Sequence, residues 1–452
     1  MSAKEHNPHL ALTYYPTIMP PMVTKYLKFM VSRALGTGVD TLVLWLFSHF
    51  VFSESYLTTY IISPVISFEA AVMSNFLCSY YWIWSSRIST KSPRSFWRHF
   101  AAFNLSSLAG FLVKMLFLLL FERLFGWGVV VCNLVALCIS GVLNFFLSDS
   151  LVFRPNTPRP EHELLAIEEL ANLSPLFRGK VGRLFARFAM WLCGVGRLNR
   201  LYDHIYPYDS ITGARKALEY LGCDYLVGNA ERLQELPEGA FLTISNHPYG
   251  GIDGVILLDM VGSRRPDLKI MVNKILGRVE SMRESFVQVT PTETHKKSAD
   301  ATTLSGIRTC LKHLRDGRPL GLFPSGAVSD LHLKGLNIRD REWQESLIRL
   351  IARANVPIVP IHFEGRNSLF YYTLGLIDWR IRLLRLPREV LNKGRGTHRV
   401  NIGTVITVEE QQSTGGDVEA LREMLRRAVY DMPQASAYEP ISSIISKREG
   451  KS

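Results

Sequence analysis

The stretch Ser245-Asn246-His247-Pro248-Tyr249-Gly250-Gly251-Ile252-Asp253-Gly254 sets a histidine and an aspartate six positions apart. An imidazole held by a carboxylate is a general base for a hydroxyl or an amine. On a continuous helix this spacing would put the pair on different faces, because same-face neighbours lie three or four apart. A turn is therefore required, and Gly250-Gly251 supplies a permissive backbone for it. Phe241-Leu242-Thr243-Ile244 reads as a strand leading in, and Val255-Ile256-Leu257-Leu258 as an apolar run leading out. Strand-to-helix loops are where α/β proteins tend to present their chemistry.

The elements that position this loop belong to a chain of 452 residues, enough for two or three domains. It is 47% apolar and 20% charged, too greasy for an ordinary soluble protein of this size, and its net charge is +12. The basic residues sit among apolar ones and no nucleic-acid module is present, so an anionic lipid surface is the expected partner and nucleic acid is not. Cys78, Cys132, Cys138, Cys193, Cys223 and Cys310 are scattered, with neither metal spacing nor the density of a disulfide framework. No metal is expected. Residues 1–22 form a polar tail without the apolar core of a signal peptide.

Residues 23–153 read as membrane. Apolar stretches at about 29–51, 59–84, 100–121 and 127–148 each approach the ~20 residues that span a bilayer. Lys25, Lys28 and Arg33 flank the first, Arg87, Lys91, Arg94 and Arg98 lie between the second and third, and Arg154 and Arg159 follow the fourth. By the positive-inside rule both ends and the middle loop face the cytoplasm. Asn75-Phe76, Ser79 and Trp84 recur 69 positions later as Asn144-Phe145, Ser148 and Phe153, so the region reads as two copies of one helical hairpin. Asp40, Glu69 and Lys114 fall inside the spans, where charge is costly, and Asp40 with Lys114 is the expected neutralising pair.

This pattern resembles the GtrA-like membrane family over about 130 residues. The resemblance implies a lipid-handling module, associated with moving polyprenyl-linked sugars or related lipids across the bilayer.

A Pro-rich, charged linker and a basic amphipathic segment, 154–202, follow; Arg178, Lys180, Arg183 and Arg187 alternate there with bulky apolar residues in the manner of an interfacial helix. From 203 to 432 short apolar strands alternate with helical stretches, ahead of a tail at 433–452. Strands are expected at 270–272, 286–289, 319–323, 357–363, 400–402 and 404–406, and helices at 302–315 and 342–354. The fold class is thus multi-domain: an all-α four-helix transmembrane bundle followed by an α/β domain with a mixed sheet. Three more strand-end loops could contribute to a site: Asn273-Lys274, Phe323-Pro324-Ser325-Gly326 and Glu364-Gly365-Arg366-Asn367-Ser368. The second offers turn N–H groups to an oxyanion.

In this order the loops resemble the PlsC-like glycerolipid acyltransferases, most closely the hemolysin-like branch with Asn-His-Pro-x-Gly-Gly-x-Asp-Gly, here Asn246 to Gly254. The second block is Asn273 to Arg278, the third Phe323 to Gly326, and the fourth Val356 to Pro360 with Glu364 to Ser368. The resemblance covers about residues 203–410. It implies acyl transfer from acyl-CoA or an acyl carrier protein to a lipid hydroxyl, with no bound cofactor, His247 as base and Asp253 orienting it. Asn246, Gly250, Gly251, Asn273, Lys274, Arg278, Phe323, Pro324, Ser325, Gly326, Gly365, Arg366 and Asn367 are its substrate-binding candidates. Two departures matter: five residues separate His247 and Asp253 where the common motif has four, and Ser325, Ala327 and Val328 stand where that motif has Glu, Thr and Arg. The missing arginine would grip an acceptor phosphate, so an aminoacyl lipid or another monoacylated lipid becomes a credible acceptor. The expected location is the inner (cytoplasmic) membrane, with the acyltransferase domain in the cytoplasm. The rival expectation is a lipid or lipid-linked sugar transporter with an accessory acyltransferase fold; a third has the enzyme make a lipid that the bundle moves.

Overall fold

Long apolar runs without polar interruption satisfy their own backbone only as helices, and the first third of the chain does so. In this computed structural model the residues described are 21–52, 55–88, 91–154, 158–289, 301–333, 335, 337–393 and 396–449. The N-terminal tail expected at 1–22 therefore lies almost wholly outside them. The chain divides into two compact units, Met1–Pro158 and Arg159–Ser452.

The first unit holds α1 (Pro21–Leu46), α2 (Ser63–Cys78), α3 (Pro93–Phe125) and α4 (Val129–Leu147). With the wider π-type turns that extend several of them they make four spans long and apolar enough to cross a bilayer: Met22–Val51, Thr58–Ile83, Pro93–Phe125 and Val129–Val152. Helix α1 packs along α2, and α3 along α4. Close packing is possible where a small residue opposes a polar one. A Cβ on Gly36 would lie 2.4 Å from Asn75, and one on Gly110 2.1 Å from Asn144, so each repeat seats its asparagine in a glycine notch. Asn75 also accepts a hydrogen bond from Ser32 at 3.3 Å.

The two hairpins meet reciprocally. Trp84 and Phe153, equivalent by the 69-residue offset, stack on one another at 5.0 Å. Phe76 reaches Phe153 at 6.4 Å and its counterpart Phe145 reaches Trp84 at 5.7 Å. Such exchange of equivalent contacts is the mark of a two-fold interface. Arg87 fastens it, donating to the carbonyls of Asp149 and Phe153 at 2.7 and 2.8 Å and pairing with the Asp149 carboxylate at 2.9 Å. The expected Asp40–Lys114 pair does not form among the described residues. They belong to different hairpins; Lys114 lies over the Phe111 ring at 5.8 Å, while Glu69 accepts from Asn104 at 3.0 Å.

The second unit begins with α5 (Ile167–Leu173), α6 (Gly179–Cys193), α7 (Val195–Ile205) and α8 (Ser210–Leu221). The single amphipathic segment expected at 177–202 is split because Gly194 takes φ +79° and ends α6. Asp209 caps α8 by accepting from Thr212 N–H at 3.0 Å, an interaction of about 1 kcal/mol. There follow β1 (Asp224–Gly228), β2 (Leu242–Ser245), α9 (Gly251–Gly262), β3 (Lys269–Asn273), β4 (Phe286–Val289), α10 (Ala301–Arg315), β5 (Leu320–Leu322), β6 (Asp330–His332), β7 (Asn337–Arg339), α11 (Glu345–Ala354), β8 (Ile358–Glu364), α12 (Leu369–Ile377), α13 (Trp379–Asn392), β9 (Thr397–Ile402), α14 (Val408–Gln412), α15 (Val418–Tyr430), β10 (Tyr438–Pro440) and α16 (Ile441–Glu449).

Eight strands form one mixed sheet in the order β10-β1-β9-β8-β2-β5-β3-β4, and β6–β7 make a separate small hairpin. Strands β8, β2, β5, β3 and β4 are parallel, so their C-terminal ends share one edge; β9 runs against β8. Side chains alternate between two buried faces. Leu242, Ile244, Leu320, Leu322 and Ile358 pack towards α10, α11 and α15. Val359, Ile361, Phe363 and Ile270 pack towards α8 and α9. The strand expected at 404–406 is instead a single bridge, Ile406 pairing with Ile358 through bonds of 2.8 and 2.9 Å. Gly403 N–H is taken by Pro360 O at 2.8 Å just before it, and the chain then turns into α14.

Burial keeps His313, His362 and His398 of this unit below their usual pKa, desolvation being the largest cause for each. In the unfolded chain they protonate near 6.5. Acid therefore favours the unfolded state: stability is held above that value and lost as pH falls below it. Thermal unfolding of the full protein in detergent should show a lower midpoint at pH 5.5 than at 7.5, and His398→Asn should flatten that dependence.

Candidate active site

Strand β2 ends at Ser245, and the next residues must leave the sheet and start α9 within five positions. Gly250 allows this with φ +92°. A Cβ there would lie 3.0 Å from Leu386 and 3.1 Å from Val328, and one on Gly251 3.3 Å from Val390. Asp253 consequently sits in the first turn of α9, fully buried. One carboxylate oxygen, Oδ2, accepts the N–H groups of Tyr249 and Gly250, each at 3.0 Å. The same oxygen lies 2.9 Å from His247 Nδ1. The additional residue between His247 and Asp253 is thus absorbed in the turn. The approach turns Nδ1 towards the carboxylate and leaves Nε2 as the ring nitrogen away from it. The His247 side chain remains 19% exposed.

The backbone around the histidine is fixed from two further strands. Asn246 clasps β8 in both directions, donating to Phe363 O at 2.8 Å and accepting Phe363 N–H at 2.7 Å. Its side chain, expected among the substrate-binding ones, here joins the loop to β8. From the other side Asp340, 2% exposed, accepts His247 N–H at 3.1 Å and the Ser329 hydroxyl at 2.5 Å. Ser329 N–H in turn donates to His247 O at 3.0 Å. Asp340 lies in the charged run Arg339-Asp340-Arg341-Glu342, where nothing in the sequence marks one carboxylate as buried.

The loop after β5 lies beside β2. Phe323 packs its ring 4.3 Å from that of His247. Pro324 O accepts Gln344 N–H at 2.9 Å, and the Ser325 hydroxyl donates to Ala327 O at 2.8 Å. Gly326 turns the chain at φ +63°, and its N–H is consumed by Phe323 O at 2.9 Å. Gly326 therefore shapes the turn and cannot itself donate to an oxyanion. The following residues, Ala327 and Val328, run alongside the histidine.

The loop after β8 completes the site. Gly365 takes φ +112°, and a Cβ there would lie 1.9 Å from the Tyr249 hydroxyl, which donates to Glu364 O. Asn367 is buried; its side-chain NH2 donates to Tyr249 O at 3.2 Å, and its backbone N–H donates to the Tyr372 hydroxyl at 3.1 Å. Arg366 is exposed and has no ion pair among the described residues. Lys393, which the sequence reading passed over, donates to Arg366 O and lies 4.7 Å above the Tyr249 ring. Burial first of all holds its ammonium below the usual range.

The block at Asn273 is less close. Strand β5 separates β3 from β2, so Asn273 and Lys274 stand two strand spacings, roughly 10 Å, from the His247 loop. Arg278 is engaged elsewhere, pairing with Glu169 at 2.5 Å. Among the described residues no cluster of His, Cys, Asp and Glu could hold a metal ion.

A histidine against a buried carboxylate, with neighbouring turns on the C-terminal edge of a mixed sheet, thus makes the candidate site, and the comparisons give the class of the chain that carries it. The acyltransferase family profile matches residues 197–436, more than half of the chain, and the GtrA/DPMS transmembrane-domain profile matches 28–153 and again 102–167. The chain belongs to the acyltransferase family and carries a GtrA-like membrane domain ahead of it. It is similar to a lyso-glycine lipid O-acyltransferase of Phocaeicola vulgatus, with 29% identity over 38% of this chain and 62% of that protein. A lyso-glycine lipid O-acyltransferase of Bacteroides thetaiotaomicron is 30% identical over 42% of this chain and 68% of its own length. The chain thus spans less than two thirds of the first of these relatives.

Gly365→Ala should cost about 1–3 kcal/mol of stability, the usual scale for strain at a left-handed position, and should displace Tyr249. Denaturant melts with parallel activity assays check this; activity should fall by more than the lost stability explains.

Proposed function

We propose that the chain transfers a fatty acyl group from a thioester, acyl-CoA or acyl carrier protein, to the hydroxyl of a monoacylated lipid whose headgroup carries a carboxylate. The observation that carries the reading is the 2.9 Å contact between His247 Nδ1 and Asp253 Oδ2, which leaves Nε2 as the base. Nε2 takes the proton of the acceptor hydroxyl as its oxygen attacks the thioester carbonyl. A C–O bond forms, the C–S bond breaks, and the imidazolium returns the proton to the departing thiolate. Buried Asp253 stabilises that imidazolium in a site of low dielectric. The N–H groups of Ala327 and Val328, rather than that of Gly326, are the backbone donors assigned to the oxyanion.

Acceptor choice turns on the missing phosphate-gripping arginine. Of the cations in the site blocks, Arg278 is paired with Glu169 and Lys274 lies at the end of β3. Arg366 is exposed, follows the glycine that packs on Tyr249, and is the residue assigned to the acceptor's anion. A planar guanidinium suits a carboxylate bidentately. The names of the relatives support a glycine lipid lacking one acyl chain as the first acceptor to try. The charge bias of the spans favours the inner membrane with the acyltransferase unit in the cytoplasm, where thioester donors are made. The duplicated hairpins support a further role for the bundle in moving lipid; separated halves, co-expressed, should then acylate as before but lose that movement.

With labelled fatty acid and the lyso-glycine lipid, His247→Ala and Asp253→Asn should lower the rate by at least about 10²-fold, the scale of general-base catalysis. Arg366→Ala should raise the acceptor KM with little change in kcat. Equal activity of His247→Ala, properly folded, would refute the mechanism.

A further inference from the structure

Helix α13 is built inside out. Arg382 is 3% exposed and Glu389 1%, while Trp379, Ile381, Leu383 and Leu384 of the same helix face outward. The turned-in charges are engaged: Arg382 pairs with Asp330 and donates to Ser329 O at 3.3 Å, and Glu389 accepts Ser368 N–H and hydroxyl at 3.0 and 2.7 Å. Preceding α12 has no charged residue; it buries Tyr371 and Tyr372 and exposes Leu369, Phe370, Leu376 and Ile377, the last by 73%. The inner side of this hairpin rests on the catalytic loops, with Leu386 against Gly250, Val390 against Gly251, and the two tyrosines against Val328.

A second apolar face stands beside the hairpin. Helix α6 packs against α13, where Arg388 donates to Trp191 O at 2.6 Å. It turns Val181, Leu184, Phe185 and Leu192 outward, buries only the small Gly182 and Ala186, and carries Lys180, Arg183 and Arg187. Among the described residues these three cations and Arg380 have no carboxylate partner. A contiguous apolar surface of this kind on a soluble face demands an occupant. Aliphatic and aromatic side chains rimmed by unpaired cations match the acyl boundary and anionic headgroups of one leaflet.

We infer that the α12–α13 hairpin, with α6 beside it, inserts into the interface of an anionic lipid leaflet and holds the His247 site at the lipid surface. A mixed groove of about 240 Å³ lies between β6–β7 and the hairpin, with Leu331, Leu376 and Trp379 beside the charged Asp330, Arg341 and Arg382. The activity arm of the test below rests on the function proposed above; the insertion arm does not.

The test uses the full chain reconstituted in vesicles of phosphatidylethanolamine and phosphatidylglycerol. Cys78, Cys138 and Cys193, the cysteines that are not buried, are replaced by serine. A bimane dye is then attached at Ile377→Cys or, as a control, at Glu423→Cys on exposed α15. Insertion predicts that doxyl-chain lipids quench the dye at 377 several-fold more than at 423, while aqueous iodide does the reverse. Iodide reaching both positions alike, or shielding at 377 without lipid quenching, as a bound protein or second copy would give, overturns the proposal. Separately, Ile377→Ser with Leu384→Ser, both exposed and outside the groove, should reduce acylation of a long-chain acceptor in vesicles at least tenfold and leave a short-chain acceptor in detergent micelles unaffected. Equal loss on both acceptors would also overturn it. If the dye inserts but no variant or wild type acylates anything, the proposed reaction fails while the insertion stands.

Discussion

A carboxylate with no exposure to water needs donors, and Asp253 Oδ2 takes two backbone N–H groups with the His247 ring 2.9 Å away. The remaining geometry of the site follows. Both N–H groups belong to the turn that joins β2 to α9, so satisfying the charge shapes the turn, and shaping the turn aims the histidine. An apolar residue at 253 would leave the turn without its acceptor and the imidazole without its neighbour at the same moment.

The loop is held from outside as well as from within. Asn246 ties it to β8, Asp340 ties it to the segment after β7, and Tyr249 fills the space that a glycine leaves open at 365. These three ties come from parts of the chain about a hundred residues downstream. A side chain held so firmly has little freedom left to lose, which is where positioning contributes to rate in any site. Nothing in this arrangement asks the histidine to move; the acceptor has to be brought to it.

The sequence disclosed what depends on residue type and period, and little that depends on long-range closure. The four spans and the 69-residue echo could be read from hydropathy and identity, and the strands around His247 from short apolar runs. His247 and Asp253, expected to be brought together by a turn, do lie 2.9 Å apart, because the turn at Gly250-Gly251 allows it. Asp340 was illegible, since four charged residues in a row look alike until folding buries one. Asn246 and Gly326 were read as ligand-facing because motif residues invite that reading; the structure spends Asn246 on a strand joint and Gly326 on a turn. Strands β1 and β10 escaped notice because a strand of three to five residues has little local signal beyond a few apolar positions. The Asp40–Lys114 pairing failed for a similar reason, as depth in a span does not reveal which helices are neighbours.

The outward apolar faces of α6, α12 and α13 also bear on how the protein can be handled. The residues that would make the second unit sticky belong to that unit itself and not to the four spans. Cutting the chain near Pro158 would remove the four spans found among the described residues and leave these outward apolar faces in place. Colloidal behaviour and membrane topology are thus separate properties here: the spans fix where the chain is anchored, and the inverted helix decides whether its catalytic half tolerates water.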